Sequence, residues 1–171
     1  MNLITVRRAV RQDCPAIAEI YNDAVLKTTA SYDEEPRPLV HRVAWYDAHQ
    51  RDDLAIFVAE ATAPDGSVRI AGWSALNRYH DRVGFRFTAE NSIYVAESDR
   101  GRGIGALLLA PLISAARDRG LHAILAAIDA SNEASLRLHA RHGFEKVGHF
   151  REVGFKFGRW LDVVYLERRL G

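Results

Sequence analysis

The chain has 171 residues, 48% hydrophobic and 26% charged, which fits one globular domain over residues 1–171. Its formal net charge of +1 gives no electrostatic basis for binding nucleic acid or an anionic membrane. The single cysteine, Cys14, excludes an internal disulfide, and without a signal sequence, a membrane-spanning stretch or a metal-type Cys/His spacing we expect a metal-free cytoplasmic protein.

The first half of the chain predicts elements in the order β-α-α-β-β-β. Asp13 and Pro15 fit the N-cap and first turn of a helix that extends to about Lys27. A Pro-Asp-Gly turn at 64–66 joins two strands into an antiparallel hairpin. The predicted helices cover residues 13–27 and 39–51, and the predicted strands cover 4–9, 54–60, 68–75 and 88–96.

The second half predicts the order α-β-α-β-β. Apolar residues at helical spacing predict a helix over 104–119, and Gly120 ends it. The run 122–128 is apolar throughout, as in a buried, parallel strand. A short helix over 132–141 and strands over 144–153 and 160–166 complete the chain. We therefore expect an α/β domain, more narrowly α+β, with a mixed, mostly antiparallel sheet of about seven strands and about four helices.

The most distinctive segment is R-G-R-G-I-G-A, from Arg100 to Ala106, between a strand and a helix. Glycines let a ligand approach the backbone closely, and a helix N-terminus presents free N–H groups to a phosphate. The spacing also satisfies the dinucleotide pattern G-x-G-x-x-G/A, which leaves an NAD(P)-dependent oxidoreductase as an alternative. Only about 65 residues follow the loop, too few for a doubly wound sheet with a substrate domain.

The same loop satisfies a second pattern, R/Q-x-x-G-x-G/A, through Arg100, Gly103 and Gly105. In this respect it resembles the acyl-CoA pyrophosphate loop of the GCN5-related N-acetyltransferases (GNAT), whose fold has the predicted order of elements. The resemblance implies a sheet that is splayed at an acetyl-CoA site. It also implies a bulge in the strand before the loop, which leaves an N–H near Tyr94 or Val95 free for the thioester oxygen.

Further blocks resemble the phosphinothricin acetyltransferase group, with its methionine sulfoximine and methionine sulfone acetylating members. They are IYNDAVLKTTASYDEEP (20–36), ENSIYV (90–95), SLRLH (135–139) and VGFKFGRWLD (153–162). The resemblance implies direct transfer from acetyl-CoA to the α-amine of a small amino-acid-like substrate. It also implies a homodimer joined through the late hairpin that carries Lys156, Arg159 and Trp160. A peptide or protein N-acetyltransferase and a non-catalytic acyl-CoA-binding module remain alternatives.

Two titratable residues are the candidate catalysts. Glu90 is the first candidate base, provided that burial raises its pKa above the ordinary value of about 4.3. His139 shares one helix face with Asn132 and Ser135. Many members of the superfamily carry a tyrosine acid near this position, and a histidine there can serve as base or as acid to the thiolate.

The remaining predicted site residues bind the cofactor or the substrate. An arginine fork is suited to the substrate carboxylate, and aromatic side chains are suited to the walls of its pocket. The predicted cofactor-binding residues are Tyr94, Val95, Arg100, Gly101, Arg102, Gly103, Ile104, Gly105, Ala106, Asn132 and Ser135. The predicted substrate-binding residues are Tyr32, Arg78, Tyr79, Phe85 and Arg86.

Overall fold

The computed structural model describes residues 3–171, where seven strands and four helices follow one another in the predicted order. The strands are β1 (Leu3–Arg8), β2 (Ile56–Thr62), β3 (Val68–Arg78), β4 (Thr88–Val95), β5 (Ala123–Asp129), β6 (Glu145–Lys156) and β7 (Arg159–Arg169). The helices are α1 (Cys14–Lys27), α2 (Leu39–Arg51), α3 (Ile104–Asp118) and α4 (Glu133–Arg141). Met1 and Asn2, which begin the segment predicted to carry no signal sequence, lie outside the described residues.

The strands form one mixed sheet in the order β1-β2-β3-β4-β5-β7-β6. Neighbouring strands are antiparallel throughout, except that β4 and β5 are parallel. This is the mixed, mostly antiparallel sheet that the sequence predicted, and β2 and β3 form the predicted hairpin. A dinucleotide-binding fold needs a doubly wound parallel sheet, so the dinucleotide interpretation of the glycine loop was wrong.

Helices cover both faces of the sheet. One core lies beneath α1 and α2 and includes Ile17 and Trp73. The other lies beneath α3, where Leu108 and Leu112 are fully buried because the helical spacing brings them to one face. Each such leucine contributes about 1.5–3 kcal/mol of hydrophobic free energy. Within residues 3–171, no helix is long and apolar enough to cross a membrane.

The sheet is splayed between β4 and β5, as predicted. These strands pair only from Thr88–Ala123 to Glu90–Leu125 and then separate. The expected bulge is absent, because β4 stays in unbroken register with β3 from Ala89 to Val95. Instead, the Asn91 side chain donates to the Leu125 carbonyl, 3.1 Å away, where the next ladder bond would form. The opening therefore arises from a side chain inserted between two regular strands.

Candidate active site

The space between β4 and β5 opens into a groove of about 700 Å³ at the N-terminus of α3. Thr28, Thr29 and Ala30, which follow α1, form part of its opposite wall. Ten of the predicted cofactor-binding residues line this groove: Tyr94, Val95, Arg100, Gly101, Gly103, Ile104, Gly105, Ala106, Asn132 and Ser135. The structure thus brings the glycine loop, the splayed strand and the start of α4 to one place.

The glycine loop presents a row of unused main-chain donors. Within residues 3–171, the N–H groups of residues 101–105 have no hydrogen-bond acceptor. Gly101 and Gly103 have φ angles of +75° and +80°, in the left-handed region that favours glycine. Free N–H groups and the positive end of a helix dipole both stabilise an anion. The loop therefore fits a pyrophosphate group, on the geometry of its own backbone.

The variant Gly103→Ala is expected to raise the KM for acetyl-CoA about 10-fold and to leave kcat nearly unchanged. Open space surrounds a Cβ at this position, but left-handed backbone costs a non-glycine residue about 1–2 kcal/mol, so the loop should relax and turn its donors away. Steady-state kinetics over a range of acetyl-CoA concentrations measures the effect.

Gly66→Ala is the matched control for Gly103→Ala. Gly66 has a φ of +83° in the β2–β3 turn, and a Cβ added there would meet open space. Alanine at this position therefore causes the same backbone strain, but far in sequence from the residues of the groove. The control should lose similar thermal stability and keep the wild-type KM. Equal KM values for Gly103→Ala and wild type would contradict the assigned role of the loop.

Asp99 fixes two arginines beside the loop. Its side chain is 0% exposed and pairs with Arg69 and, at 2.6 Å, with Arg102. The hydrogen bond from Arg69 outweighs desolvation and holds the pKa of Asp99 below its ordinary value. Arg102 thus contacts Asp99 and does not line the groove, whereas Arg100 lines it and donates to the Val95 carbonyl. Sequence reasoning missed Asp99, whose only local signal is an acidic residue just before two arginines.

The splayed strand offers one N–H group close to the glycine loop. The Ala96 N–H donates to the Ala71 carbonyl in β3, at 2.9 Å. Because N–H directions alternate along a strand, the Tyr94 N–H also faces β3, and the Val95 N–H faces the opening. The sequence left Tyr94 and Val95 as alternatives, and this alternation favours Val95. A preorganised donor of this kind contributes about 2.7–4 kcal/mol to the stabilisation of a developing oxyanion.

The groove continues into a pocket of about 280 Å³ that Glu90 and His139 both line. Ala30, Ile93, Tyr94, Asn132 and Ser135 line the groove and the pocket alike. Within residues 3–171, the Glu90 carboxylate takes part in no hydrogen bond or ion pair. Burial raises the pKa of Glu90, which is the direction that a general base requires.

His139 is 3% exposed, and its ring nitrogens contact three oxygen atoms, of which the Ser135 hydroxyl, 3.4 Å from Nδ1, is the most distant. Its Nδ1 lies 2.8 Å from the Ser135 carbonyl oxygen, and its Nε2 lies 3.0 Å from Asn91 Oδ1. Asn91 presents this oxygen because its Nδ2 donates to the Leu125 carbonyl. Burial lowers the pKa of His139, which favours the neutral ring, although both nitrogens face acceptors. Sequence reasoning missed Asn91, which a sequence alone cannot place beside residue 139.

Tyr32 is the one predicted substrate-binding residue that lines this pocket. Burial, together with the negative charge of Asp129, raises the pKa of Tyr32 to about 12, so its hydroxyl stays protonated at neutral pH. The ring packs over Gly154 of β6, where a Cβ would lie 2.9 Å from Tyr32 Cε1. Buried Lys156 donates to the Thr28 and Ser31 carbonyls, at 2.9 and 2.7 Å, and so ties the loop that carries Tyr32 to β6.

The other predicted substrate-binding residues gather elsewhere. Arg78, Phe85 and Arg86 line a separate cavity of about 210 Å³, which Glu90 does not line. Arg78 Nη2 lies 2.9 Å from an Asp52 carboxylate oxygen, and the Arg86 guanidinium stacks on a neighbouring ring. Tyr79 packs edge-on against Phe85, with ring centroids 5.5 Å apart. In the described part of the chain, no cluster of three or more His, Cys, Asp or Glu is suited to a metal ion.

Comparisons with known proteins agree with this geometry. The profile of the Acetyltransferase (GNAT) family matches residues 17–144. The chain is 43% identical to the L-methionine sulfoximine/L-methionine sulfone acetyltransferase of Pseudomonas aeruginosa, over 97% of this chain and 94% of that protein. It is 38% identical to the phosphinothricin N-acetyltransferase of Streptomyces coelicolor, over 98% and 96% of the two chains.

Solved structures agree as well. A Salmonella typhimurium protein, determined with its cofactor acetyl-CoA, superimposes with a TM-score of 0.93 at 38% identity, over 98% of this chain and 94% of that one. The sequence match, the structural match and the shared open sheet all lead to one assignment. The chain belongs to the GNAT family of acetyltransferases.

Proposed function

We propose that this protein transfers the acetyl group of acetyl-CoA directly to the α-amine of a small amino-acid-like substrate. The observation that carries the proposal is the junction of two sites: the groove with the unused N–H groups of residues 101–105 runs into the pocket that Glu90 lines. The names of the relatives point to methionine sulfoximine, methionine sulfone or phosphinothricin as substrates.

Each step of this reaction has a residue to support it. Bound acetyl-CoA supplies an acetyl thioester. Glu90 accepts a proton from the substrate ammonium, directly or through a water, so that the nitrogen lone pair can form the new C–N bond. The Val95 N–H donates to the carbonyl oxygen as negative charge develops there. As the C–S bond breaks, the attacking nitrogen loses a second proton. His139 accepts this proton and passes it to the departing sulfur, so that coenzyme A leaves as the thiol.

Thiol release from acetyl-CoA across a panel of amines tests the proposal. The panel contains phosphinothricin, methionine sulfoximine, methionine sulfone, a polyamine and a lysine peptide. We expect release with one or more of the three amino acids and none with the polyamine or the peptide. Release with the peptide alone would favour a peptide or protein N-acetyltransferase. Binding of acetyl-CoA without release on any amine would favour a non-catalytic module.

We also propose that the protein is a homodimer joined through β6 and β7. Strand β6 lies at the edge of the sheet, where unpaired backbone groups invite association. Large apolar side chains on this hairpin are exposed to solvent, a composition typical of interfaces. They are Val147, Phe150, Val153, Phe155, Phe157 and Trp160. The hairpin that packs against Tyr32 would then lie close to the partner subunit.

The variant Trp160→Glu is expected to convert the dimer to a monomer. Trp160 is 62% exposed, so a charge there costs little in a monomer but would be buried unpaired in an interface. Light scattering coupled to size-exclusion chromatography measures the mass. Val40→Glu is the control, since Val40 is 67% exposed on α2, away from the hairpin in sequence. A wild-type protein that is monomeric at micromolar concentration would contradict the proposal.

A reducing, cytoplasmic setting and a role in resistance follow as further proposals. Acetyl-CoA and free amino acids are cytoplasmic metabolites, and the buried, unpaired thiol of Cys14 is compatible with that compartment. Acetylation removes the positive charge of an α-amine, so a toxic glutamate-like amino acid would lose a group by which its target recognises it. Growth of cells with and without the gene on phosphinothricin tests this role.

A further inference from the structure

A second cavity, of about 490 Å³, adjoins the pocket that Glu90 lines. Tyr21, Asp33, Ser92 and Tyr94 line both spaces. The wall of the second cavity also contains Arg42 of α2, which is 8% exposed. The chemistry proposed above gives this arginine no role.

Arg42 is a buried cation without an anion. Within residues 3–171, its guanidinium takes part in no ion pair or side-chain hydrogen bond. Three aromatic rings surround it instead: its Cζ lies 4.6 Å from the ring centroid of Tyr21, 4.5 Å from that of Trp45 and 5.2 Å from that of Trp73. Desolvation by this environment lowers the pKa of Arg42. Buried charges in proteins are nearly always paired, so this one is exceptional.

The aromatic rings contact the faces of the Arg42 guanidinium and leave its hydrogen-bond donors unused within the described residues. Cation–π contacts use the faces of the planar group, whereas its five N–H donors lie in its plane. The aromatic rings therefore hold the guanidinium in place and leave its donors available to an oxyanion that can accept two hydrogen bonds.

The other charged groups of the cavity do not compensate Arg42. The Asp33 carboxylate is engaged by Arg37 at 2.7 and 3.0 Å and by the Tyr21 hydroxyl at 2.7 Å. His41 is the remaining titratable basic residue in the wall. The buried Nε1 of Trp73, another wall residue, has no acceptor within residues 3–171. The cavity thus has an excess of positive charge and of donors.

We infer that Arg42 binds an oxyanion of the amino-acid substrate and so determines its specificity. This inference rests on the proposed function, because it requires an amino-acid substrate whose amine lies in the adjoining pocket beside Glu90. The oxyanion has two possible sources, the α-carboxylate and an anionic side chain such as a phosphinate. Arg42 is buried and has no anionic partner within residues 3–171, whereas Arg78 is half-exposed and already paired with Asp52.

The test compares wild type and Arg42 variants on two forms of one substrate, the amino acid and its α-carboxamide. Arg42→Met is expected to lower kcat/KM for methionine sulfone 10- to 100-fold, with the KM for acetyl-CoA unchanged. Methionine sulfone α-carboxamide, which lacks the carboxylate, should react equally with wild type and variant. A loss confined to phosphinothricin would instead assign Arg42 to the side-chain oxyanion and would support the inference in that form. Arg78→Met tests the competing assignment of the oxyanion to Arg78. Arg11→Met is the control, since Arg11 is exposed and lines neither cavity, and it should retain the wild-type preference for the acid.

Arg42→Lys keeps the test valid if Arg42→Met fails to fold, because lysine retains the charge but lacks the planar fork. The loss of kcat/KM in Arg42→Lys should be smaller than in Arg42→Met and should still be greater for the acid than for the amide. An equal loss on acid and amide, which a structural role would give, overturns the inference. The inference is also overturned if Arg78→Met loses the preference for the acid over the amide while the Arg42 variants keep it. A wild-type enzyme that acetylates no amino acid overturns the proposed function itself.

Discussion

Replacing Glu90 by Gln is expected to lower kcat about 10²- to 10³-fold and to leave the KM for acetyl-CoA unchanged. Gln is similar in size but cannot accept the proton of the substrate ammonium, and general base catalysis contributes about 10²- to 10⁴-fold. The KM should not change because Glu90 lines the pocket and not the groove with the glycine loop. Thiol-release kinetics at saturating amine measures both constants.

The pH dependence gives this variant a second signature. Burial raises the pKa of Glu90, so the wild-type kcat should fall as the pH decreases through that raised value, and Glu90→Gln should lack this ionisation. Stability should respond in the opposite sense. The folded state binds this proton more tightly than the unfolded chain does, so the free energy of unfolding decreases as pH rises through the interval between the two pKa values. At pH 7, Glu90→Gln should therefore unfold at a higher temperature than wild type.

Glu19→Gln is the control for Glu90→Gln. Glu19 is exposed on α1 and lines neither the groove nor the pocket, so this substitution should change neither kcat nor the melting temperature. Wild-type turnover in Glu90→Gln would show that another group takes the proton. A lower melting temperature at pH 7 would contradict the stated cost of the buried carboxylate.

Local signals explain why most of the fold could be predicted. The helical spacing around Leu108 and Leu112 and the turn at 64–66 each depend on a few neighbouring residues, and the bounds agree with the structure within a few residues. The glycine loop could be predicted for the same reason, because its left-handed residues and free N–H donors are properties of one short segment. The missing bulge in β4 could not be predicted, since the opening depends on Asn91 and Leu125, which are 34 residues apart.

The alternation of side chains along a strand separates Arg78 from Glu90. Asn77 lies opposite Glu90 in the β3–β4 register, and adjacent strand residues point to opposite faces. Arg78 therefore projects to the other face of the sheet from Glu90. Sequence reasoning missed this, because the register that pairs Asn77 with Glu90 joins residues 13 positions apart. Arg42 carries a single local signal, Trp45 three residues later in α2, because its other two aromatic neighbours reach it only when α1 and β3 pack against α2.

His139 is expected to be the second residue whose loss lowers kcat strongly, by about 10- to 10²-fold in His139→Ala. Burial lowers the pKa of His139, so the ring is neutral at pH 7 and can bind one proton. The Ser135 carbonyl oxygen and Asn91 Oδ1 lie 2.8 and 3.0 Å from the two ring nitrogens. A neutral ring can donate to only one of these oxygens, whereas the imidazolium donates to both. These two acceptors therefore offset part of the desolvation cost of a proton that reaches His139 during the reaction.

A positioning role for His139 would also lower kcat in His139→Ala, so a second variant is needed. Glutamine can donate to Asn91 Oδ1, but it cannot take up a proton at neutral pH. If His139 carries a proton, His139→Gln should be as slow as His139→Ala. Both should also lack an acid-side ionisation that Glu90→Gln retains. The control is His122→Ala, since His122 is exposed just before β5. Recovery of wild-type kcat in His139→Gln would reduce His139 to a residue that holds Asn91 between the separated strands.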